Sequence, residues 1–457
     1  MTDVLDVAAA RLGGRDGDRV ALHAPPGVLT DRELDRKVSR RAEALREGGL
    51  EPGTVHPVVL DTTVDGIVTL LALWRTGVIP APLNPRLTAA ERDEARSALR
   101  EAPPGTQAVL WTSGTTGRAR GVALGREGLE AHVAAVADRL ALDGSEAWLA
   151  SLSLAHVGGL ALVTRALLTG ATMVLPRGRG TDALVGSFGE GPRGDGSASD
   201  VTHLSLVPTQ LDRLLARWGS RPPPPTLRCI LIGGAHAPRE LVERALASGW
   251  PIALTYGMTE MWSQVATAPP PVTRERPGTV GTALPGVQLR LDQRREILVR
   301  GPTRALGYIG STGRGATEGG TTEGNPPLTD SDGWYRTGDL GELDGEGFLR
   351  ITGRASERIV SGGVNVDPVE VEDVVRAHPS VVDVAVVGVP SREWGETVAA
   401  AVVPVWEAFE LPEVEAYVRE RLSGPKRPRM WKMEGAVPRN VNGKVDRAAV
   451  RALFSGG

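Results

Sequence analysis

One segment of the chain combines the residue types that bind phosphate groups. Residues 110–122 read LWTSGTTGRARGV, so an apolar stretch leads into glycines and hydroxyls that are followed by arginines. Glycines let backbone N–H groups converge on an anion, hydroxyls add donors, and arginines supply positive charge. The spacing differs from the GxxxxGK[ST] phosphate loop. The segment therefore predicts a different kind of triphosphate loop; taken alone, a flexible glycine–threonine turn is the alternative.

Further segments with chemically useful side chains follow in order. After a strand-like stretch, residues 256–260 (YGMTE) offer a tyrosine to stack on a base, a threonine for a phosphate and a glutamate for Mg²⁺. Residues 333–340 (GWYRTGDL) include Asp339, which suits a ribose diol, and Gly353 and Arg354 come next. Near the end, residues 438–447 read PRNVNGKVDR.

Lysine is rare in this chain, which makes the lysine of the last segment informative. The 52 basic residues include four lysines (Lys37, Lys426, Lys432 and Lys444), so 48 are arginines. A lysine is a compact ammonium on a flexible stem, whereas an arginine is a planar fork. Lys444 therefore suits a site where a point charge must approach phosphate; a solvated surface lysine is the alternative.

Alternating helix-like and strand-like segments must position these residues. Apolar residues at 34, 38, 42 and 45 recur at helical spacing after Thr30, a residue type favoured at helix N-caps. Further helices are predicted at 65–76, 126–140, 158–168, 209–218 and 239–247. Short apolar strands are predicted at 55–60, 78–83, 108–112, 147–152, 173–175, 203–207, 229–232 and 252–255. The alternation predicts an α/β fold with mixed, mostly parallel sheets packed by helices.

The pattern changes after about residue 352. Helices are predicted at 368–377 and 411–423 and strands at 381–389 and 397–403. We expect a large domain over residues 1–352 and a small, mobile α+β domain over 353–457. Glycine- or proline-rich loops are predicted at 186–200, 222–225 and 310–327.

Composition excludes several classes of protein. The net charge of −3 leaves no basic surface for nucleic acid. The single cysteine, Cys229, lies in an apolar run and is expected to be buried rather than catalytic. The apolar stretch 152–175 is interrupted by His156 and Arg165, so no membrane span is expected. Without a signal-peptide pattern, we expect a cytoplasmic protein. The sequence leaves the oligomeric state open, with a homodimer as one option.

The order, spacing and wording of these motifs resemble the adenylate-forming superfamily, which includes acyl-CoA synthetases, peptide-synthetase adenylation domains and luciferases. The resemblance covers nearly the whole chain and implies ATP, Mg²⁺ and a carboxylic acid as partners. It implies that Thr259 contacts phosphate, Glu260 binds Mg²⁺, Asp339 and Arg354 hold the ribose, and Lys444 reaches the carboxylate and α-phosphate. It also implies a nucleotide site formed by Thr112, Ser113, Gly114, Thr115, Thr116, Gly117, Gly233, Gly234, Ala235 and Tyr256.

The same resemblance implies that CoA is the acyl acceptor. Residues Ser361, Gly362 and Gly363 resemble the segment that lines the pantetheine path in acyl-CoA ligases. Ser356 falls at the family's hinge position, where an acid or lysine is common, so the serine is a departure. The phosphate loop departs as well, because it carries Arg118 and Arg120 where lysine is usual.

The acid is the least determined partner. Amino-acid adenylation domains usually present an aspartate in the segment that here reads SLAHVGG (153–159), so His156 favours an acyl or aryl acid. The local sequence around several motifs, including Ser263, resembles that of the o-succinylbenzoate–CoA ligases of menaquinone biosynthesis. Arg165 is the candidate for the second carboxylate of that acid; a helix-end arginine facing solvent or an acid is the alternative. A stand-alone adenylation enzyme that loads a carrier protein, a ligase for another aryl or fatty acid, and a non-catalytic relative are the other hypotheses.

Overall fold

The computed structural model describes residues 17–24, 27–99, 101–113, 119–188, 201–309, 328–440 and 444–455. The α-helices within these ranges are α1 (Asp31–Glu47), α2 (Val64–Arg75), α3 (Ala89–Ser97), α4 (Arg126–Leu140), α5 (Val157–Thr169), α6 (Gly180–Gly186), α7 (Pro208–Trp218), α8 (Arg239–Ala247), α9 (Pro270–Glu275), α10 (Pro368–Arg376), α11 (Leu411–Arg421) and α12 (Arg447–Leu453). Short 3₁₀ turns lie at Thr259–Met261, Ala355–Glu357 and Gly424–Lys426.

Among the described residues, the strands are more numerous than the helices. They are β1 (Val20–Ala24), β2 (Gly27–Thr30), β3 (Val55–Val59), β4 (Ile79–Leu83), β5 (Thr106–Ser113), β6 (Ala119–Gly125), β7 (Ala147–Leu149), β8 (Thr172–Val174), β9 (His203–Leu206), β10 (Cys229–Ile232), β11 (Ile252–Met258), β12 (Ser263–Ala268), β13 (Thr282–Ala283), β14 (Gln288–Leu291), β15 (Glu296–Arg300), β16 (Gly307–Ile309), β17 (Tyr335–Leu343), β18 (Leu349–Arg354), β19 (Ile359–Ser361), β20 (Val364–Val366), β21 (Val381–Ser391), β22 (Gly395–Pro404) and β23 (Met430–Met433).

The predicted mixed α/β fold is confirmed, and parallel pairing is concentrated in one sheet. The nine-stranded sheet has the order β13-β12-β11-β10-β9-β7-β8-β1-β2. Its strands from β11 to β1 are parallel, and antiparallel strands close both edges. The four-stranded sheet β14-β15-β17-β18 and the three-stranded sheet β16-β6-β5 are antiparallel. A two-stranded sheet joins β3 and β4 in parallel.

Local signals explain which elements the sequence predicts well. Thr30 caps α1 as expected: its side chain accepts from the Glu33 N–H, and the Glu33 carboxylate accepts from the Thr30 N–H. The helices at Arg126–Leu140 and Arg239–Ala247 match their predicted bounds. Helix α3 escaped prediction because Ala95 is its only buried residue, so it lacks an apolar stripe.

Residues after Arg354 form a unit with its own sheet and core. Its five strands have the order β20-β19-β22-β21, with β23 beside β22. Helices α10 and α11 pack on this sheet through residues such as Val371, Val375 and Val414. Gly353 and Arg354, with which the predicted small domain begins, are the last residues of β18 in the four-stranded sheet. Ser356 is exposed in the 3₁₀ turn between the two sheets.

A polar contact joins this unit to the rest of the chain, and the ion pairs of Arg447 connect α12 to the turn between them. The His236 imidazole lies 3.0 Å from the Asp373 carboxylate on α10. The Arg447 guanidinium on α12 binds Glu357, in the connecting turn, at 2.7 Å and the buried Glu372 at 2.6 Å.

The remaining sequence expectations on the fold have separate outcomes. Among the described helices, none has the length and apolar content that crossing a membrane requires. Residues 222–225 adopt neither helix nor strand, as predicted. The predicted loop 310–327 and most of the loop 186–200 lie outside the described residues.

Candidate active site

Asp339 lies where strands β11, β17 and β18 bring three predicted site residues together. The antiparallel register of β17 and β18 places Asp339 opposite Arg354. The Arg354 Nε donates to Asp339 Oδ1 at 2.6 Å, and the Tyr256 hydroxyl donates to Oδ2 at 2.8 Å. Burial is the largest single effect and lowers the pKa of Arg354, but Asp339, Glu357 and Tyr256 together raise it, so the net shift is upward. The Arg354 guanidinium is therefore charged over the physiological pH range.

Tyr256 ends the buried part of β11, and the next residue must be glycine. A Cβ on Gly257 would lie 1.7 Å from the backbone oxygen of Ser263. The chain returns here through Trp262 (φ 56°) and Ser263 (φ 107°), two consecutive non-glycine residues with positive φ. Such residues cost on the order of 1–3 kcal/mol each and cluster at functional sites. The glycine of the YGMTE motif therefore permits the tight return that carries Glu260.

Two side chains hold this strained turn in place. The Trp262 indole N–H donates to the Gly125 carbonyl oxygen at 2.8 Å. The backbone N–H of Gln264 donates to the His132 Nε2 at 3.2 Å. Burial lowers the pKa of His132 to about 3, so this ring is neutral and its Nε2 can accept. Ser263 lies between Trp262 and Gln264, the two residues held in this way, and is half-buried.

Glu260 faces the strand that follows the predicted phosphate loop. The Tyr308 hydroxyl donates to Glu260 Oε1 at 3.0 Å. Tyr308 lies on β16, which pairs with β6 so that Tyr308 opposes Val122. The Arg120 guanidinium lies 5.7 Å from the centre of the Tyr308 ring. Glu260 is thus buried next to a strand that leaves the phosphate loop.

The chemistry of this site suits a magnesium ion that arrives with phosphate. Among the described residues, no group of three or more His, Cys, Asp or Glu side chains forms a metal cage. Mg²⁺ in nucleotide enzymes is commonly held by one or two carboxylates, with phosphate oxygens and water as its other ligands. A single buried carboxylate at Glu260 fits that donor set.

The stem of the phosphate loop is described, but its tip is not. Thr112 and Ser113 are the last residues of β5, and the Thr112 hydroxyl lies 3.5 Å from the Arg120 carbonyl oxygen. Gly114, Thr115, Thr116 and Gly117 lie outside the described residues. The antiparallel pair β5–β6 therefore brings both ends of the loop together, with Arg120 at the returning end.

The predicted adenine segment follows β10, the neighbour of β11. A Cβ on Gly233 would come within 2.7 Å of the Thr255 side chain, so the glycine allows close packing of this segment on β11. Gly234 has a φ of 80°, which favours glycine. Ala235 is exposed just after this bend. The segment therefore lies at the carboxyl end of a central parallel strand, where ligands bind in open α/β sheets.

Lys444 is brought to the same site by the small unit. Its backbone N–H donates to Asn440 Oδ1 at 3.1 Å, and its carbonyl oxygen accepts from the Asn440 N–H at 2.8 Å. The pKa of Lys444 is lowered by burial and by the Arg354 charge, while Asp339 and Glu260 oppose that shift. Its ammonium thus lies within electrostatic range of both acids, although the residue remains exposed to solvent.

The predicted acid-binding residues occupy a different part of the large unit. His156 is the N-cap residue of α5, and its Nε2 lies 3.5 Å from the Asn84 amide nitrogen. Arg165 lies in the middle of α5 and is 2% exposed. The alternative interpretation of Arg165 as a helix-end residue facing solvent is therefore wrong.

Arg165 is a buried cation with incomplete hydrogen bonding. Its Nη2 donates to Gln264 Oε1 at 3.1 Å, and its guanidinium lies 4.5 Å from the centre of the Trp148 ring. Its Nε and Nη1 are buried without a hydrogen-bond partner, and no described carboxylate forms a salt bridge with it. Burial lowers its pKa to about 10, so it stays charged at neutral pH. An unpaired buried charge is unfavourable, which points to an anionic partner.

Cys229 lies close enough to Arg165 for the two groups to interact electrostatically. Burial raises the pKa of the Cys229 thiol to about 12, an effect that the Arg165 charge only partly opposes. The thiol is therefore protonated at neutral pH, as expected for a packing residue rather than a nucleophile.

The predicted CoA segment forms a tight turn between β19 and β20. Ser361 is fully buried, and its hydroxyl lies 3.4 Å from the Arg429 guanidinium. Gly362 and Gly363 have φ values of 58° and 79°. A Cβ on Gly362 would come within 2.8 Å of the Trp394 ring. In this arrangement the two exposed glycines, and not the Ser361 side chain, face solvent.

Sequence reasoning missed two tyrosines at the site. Tyr308 bonds Glu260, and its hydroxyl lies 3.3 Å from the Tyr335 hydroxyl. With Tyr256 they account for three of the four tyrosines in the chain. The scarcity that drew attention to Lys444 was therefore present for tyrosine too, and would have pointed to these residues.

The fold and the assembled site define an enzyme family. A family model described as AMP-binding enzyme matches residues 9–102 and 93–309, and the model of its C-terminal domain matches residues 370–444. The chain therefore belongs to the AMP-binding enzyme family.

The relatives of this chain narrow the class further. A 2-succinylbenzoate–CoA ligase from Bacillus cereus is 31% identical over 95% of this chain and 96% of its own length. The o-succinylbenzoate CoA synthetase (MenE) from Bacillus subtilis, in complex with the acyl-adenylate intermediate OSB-AMP, is 27% identical with a TM-score of 0.85, over 99% of this chain and 98% of that chain. The same protein with ATP and magnesium ion has 27% identity and a TM-score of 0.84, over 97% and 98% of the two chains.

The electrostatics of Lys444 predict its pattern of chemical labelling. Because only the neutral amine reacts with acylating reagents, a lowered pKa gives Lys444 a labelling midpoint below 10.5, the ordinary pKa of lysine. Arg354→Met should raise this midpoint and Asp339→Asn should lower it further, since these residues act on Lys444 with opposite sign. Mass spectrometry of protein labelled at a series of pH values measures this midpoint, with the exposed Lys37 as internal reference. Shifts of the same sign in both variants would contradict the placement of Lys444.

Proposed function

We propose that this protein is an AMP-forming acid–CoA ligase and that its acid is o-succinylbenzoate. The observation that carries the proposal is the assembly of Glu260, Asp339, Arg354 and Lys444 at one site. The relatives described above, at about 30% identity over 95% of the chain, support the choice of reaction and acid. The cytoplasmic location and the homodimer remain predictions from the sequence.

In the first half-reaction a carboxylate oxygen of the acid attacks the α-phosphorus of ATP, and the bond to pyrophosphate breaks. Both reactants are anions, so positive charge placed between them lowers the barrier. Lys444 supplies a mobile point charge. Arg120 supplies a second positive charge, at the returning end of the phosphate loop. Asp339 accepts hydrogen bonds from the ribose hydroxyls, and Thr259 contacts phosphate. A Mg²⁺ ion held by Glu260 adds charge neutralisation at the phosphates when bound.

In the second half-reaction the CoA sulfur attacks the acyl carbon, and AMP leaves. The residues that would line the pantetheine path, Gly362 and Gly363, lie on the small unit beside Trp394. In the arrangement described above the Lys444 charge interacts with those of Arg354, Asp339 and Glu260, which supports assigning this arrangement to the first half-reaction. We infer that the small unit moves about the exposed turn at Ser356 between the half-reactions.

Arg165 is the residue we assign to the second carboxylate of the acid. Its buried, unpaired nitrogens require an anion, and Gln264 connects it to the turn that carries Ser263. We assign His156, at the start of the same helix, to the wall of this proposed pocket. A dicarboxylic acid such as o-succinylbenzoate satisfies both the adenylation site and Arg165.

The reaction is tested with a panel of acids. We expect pyrophosphate release with ATP and o-succinylbenzoate, and thioester formation once CoA is added. Pyrophosphate without thioester would instead favour an adenylation enzyme that loads a carrier protein. Turnover of other acids but none of o-succinylbenzoate would refute the substrate and leave the family assignment intact.

The role of Lys444 is tested by separating the half-reactions. We expect Lys444→Ala to lower the rate of adenylate formation by about a hundredfold or more, since it removes positive charge from the transition state. Transfer of the acyl group from a pre-made adenylate to CoA should be largely retained. Pyrophosphate release and thioester formation are measured separately, with Lys432→Ala as the matched control. Equal loss of both half-reactions would contradict the two-arrangement mechanism.

The role of Arg165 is tested with Arg165→Met, which keeps length and packing but removes the charge. Charge-assisted hydrogen bonds contribute about 1.5–3 kcal/mol, so kcat/KM for o-succinylbenzoate should fall by about tenfold to a hundredfold. The rates with monocarboxylate analogues, each lacking one carboxylate, should change little. The melting temperature should stay level or rise, because an unpaired buried charge is removed.

A uniform loss across all acids, or marked destabilisation, would show instead that Arg165 is structural. The control variant is Arg75→Met. It removes another part-buried arginine, whose guanidinium donates to the Ser39 hydroxyl and the Asp35 carboxylate between α2 and α1. This change should lower the melting temperature and leave selectivity between di- and monocarboxylates unchanged.

A further inference from the structure

Three tyrosines connect the two acids of the site. Tyr256 donates to Asp339 Oδ2 at 2.8 Å, and Tyr308 donates to Glu260 Oε1 at 3.0 Å. The Tyr335 hydroxyl lies 3.3 Å from the Tyr308 hydroxyl. Each carboxylate of the site therefore accepts a hydrogen bond from its own tyrosine, and Tyr335 supports the one at Glu260.

The direction of these hydrogen bonds follows from the number of protons. A phenol has one O–H donor and can also accept. A carboxylate can only accept, so the Tyr308 O–H donates to Glu260. The Tyr308 oxygen can then only accept in its hydrogen bond with Tyr335, so the Tyr335 O–H is the donor of that bond. Both phenols therefore act as donors in this pair of hydrogen bonds.

The three tyrosines come from three different sheets. Tyr256 lies on β11 of the nine-stranded sheet, Tyr308 on β16 of the three-stranded sheet and Tyr335 on β17 of the four-stranded sheet. Asp339 is four residues after Tyr335 on the same strand. Glu260 itself sits in a 3₁₀ turn without support from a strand of its own. Its carboxylate position therefore depends on side chains that other sheets provide.

We propose that Tyr308, oriented by Tyr335, is a positioning residue that fixes Glu260 for the nucleotide-borne metal ion. The hydrogen bond occupies Oε1, and among the described residues no hydrogen bond ends on Oε2, which is left for a cation. This inference rests on the proposed function, since that function assigns the metal to Glu260.

The test uses Tyr308→Phe, which removes one hydroxyl and keeps the ring. Groups that orient metal ligands typically contribute tenfold to a hundredfold in metal affinity. We expect the Mg²⁺ concentration that half-saturates the stimulation of ATP binding to rise by about tenfold or more. Calorimetric titration of ATP at graded Mg²⁺ measures this without turnover. ATP affinity at saturating Mg²⁺ should return to the wild-type value.

Two further variants make the assignment specific. Tyr335→Phe should shift the Mg²⁺ dependence in the same direction by less, and the double variant should be no worse than Tyr308→Phe alone, because Tyr335 acts through Tyr308. The matched control is Tyr417→Phe, whose hydroxyl lies 3.5 Å from the Ala377 carbonyl oxygen on the small unit. This control should leave the Mg²⁺ dependence unchanged.

The outcomes separate the inference from the function on which it rests. An unchanged Mg²⁺ dependence in Tyr308→Phe overturns the inference, as does a loss of ATP affinity that saturating Mg²⁺ does not restore. If Tyr308→Phe fails to fold, Tyr335→Phe decides the question alone by the presence or absence of its shift. Wild-type ATP binding that does not respond to Mg²⁺ would instead overturn the metal role in the proposed function.

Discussion

The arrangement of the site depends on the hydrogen bonds that the Asp339 carboxylate accepts. Its two oxygens bind Tyr256 from the nine-stranded sheet and Arg354 from the adjacent strand of the four-stranded sheet. Arg354 is the last residue before the turn that leads to the small unit. The same pair acts on Lys444 with opposite signs. One partly buried carboxylate thus relates strand β11, the connecting turn and Lys444. A change in the charge of Asp339 would therefore alter its interactions with Tyr256, Arg354 and Lys444 together.

Sequence reasoning predicted correctly the features that local signals encode. The Thr30 cap and the helical periodicity of α1 are both local features. Tyr308 was missed because its partner, Glu260, lies 48 residues earlier in the chain. The contact between Tyr308 and Glu260 forms only when β16 pairs with β6, the strand that follows the phosphate loop. Short strands such as β14, with two of four residues exposed, were missed because they carry little apolar signal.

The buried Arg165 shows a different limit of sequence reasoning. Its position between apolar residues of α5 made a solvent-facing residue and a pocket cation hard to distinguish from the sequence. Burial, the Trp148 ring and two unpaired nitrogens separate these alternatives, because a protein rarely leaves a guanidinium in its core without an anion. Loss of the charge should be tolerated by the fold, whereas loss of the anion-binding role should be visible in substrate selectivity. A structural arginine would behave in the opposite way.

The placement of Lys444 and Ser361 carries a consequence for the reaction cycle. Lys444 is within electrostatic range of Glu260 and Asp339, while Ser361 is buried inside the small unit and only the adjoining glycines are exposed. One arrangement therefore assembles the charges that adenylation needs without bringing the Ser361 side chain to a substrate. Of the contacts described above, the His236–Asp373 pair is the one that crosses between the small unit and the rest of the chain. It is half-exposed, and such a pair is worth little in stability. The Arg447 bonds stay within the small unit and the connecting turn, so they can move with it. A rotation about Ser356 would then break few strong interactions, which is what a ligase with two half-reactions at one site requires.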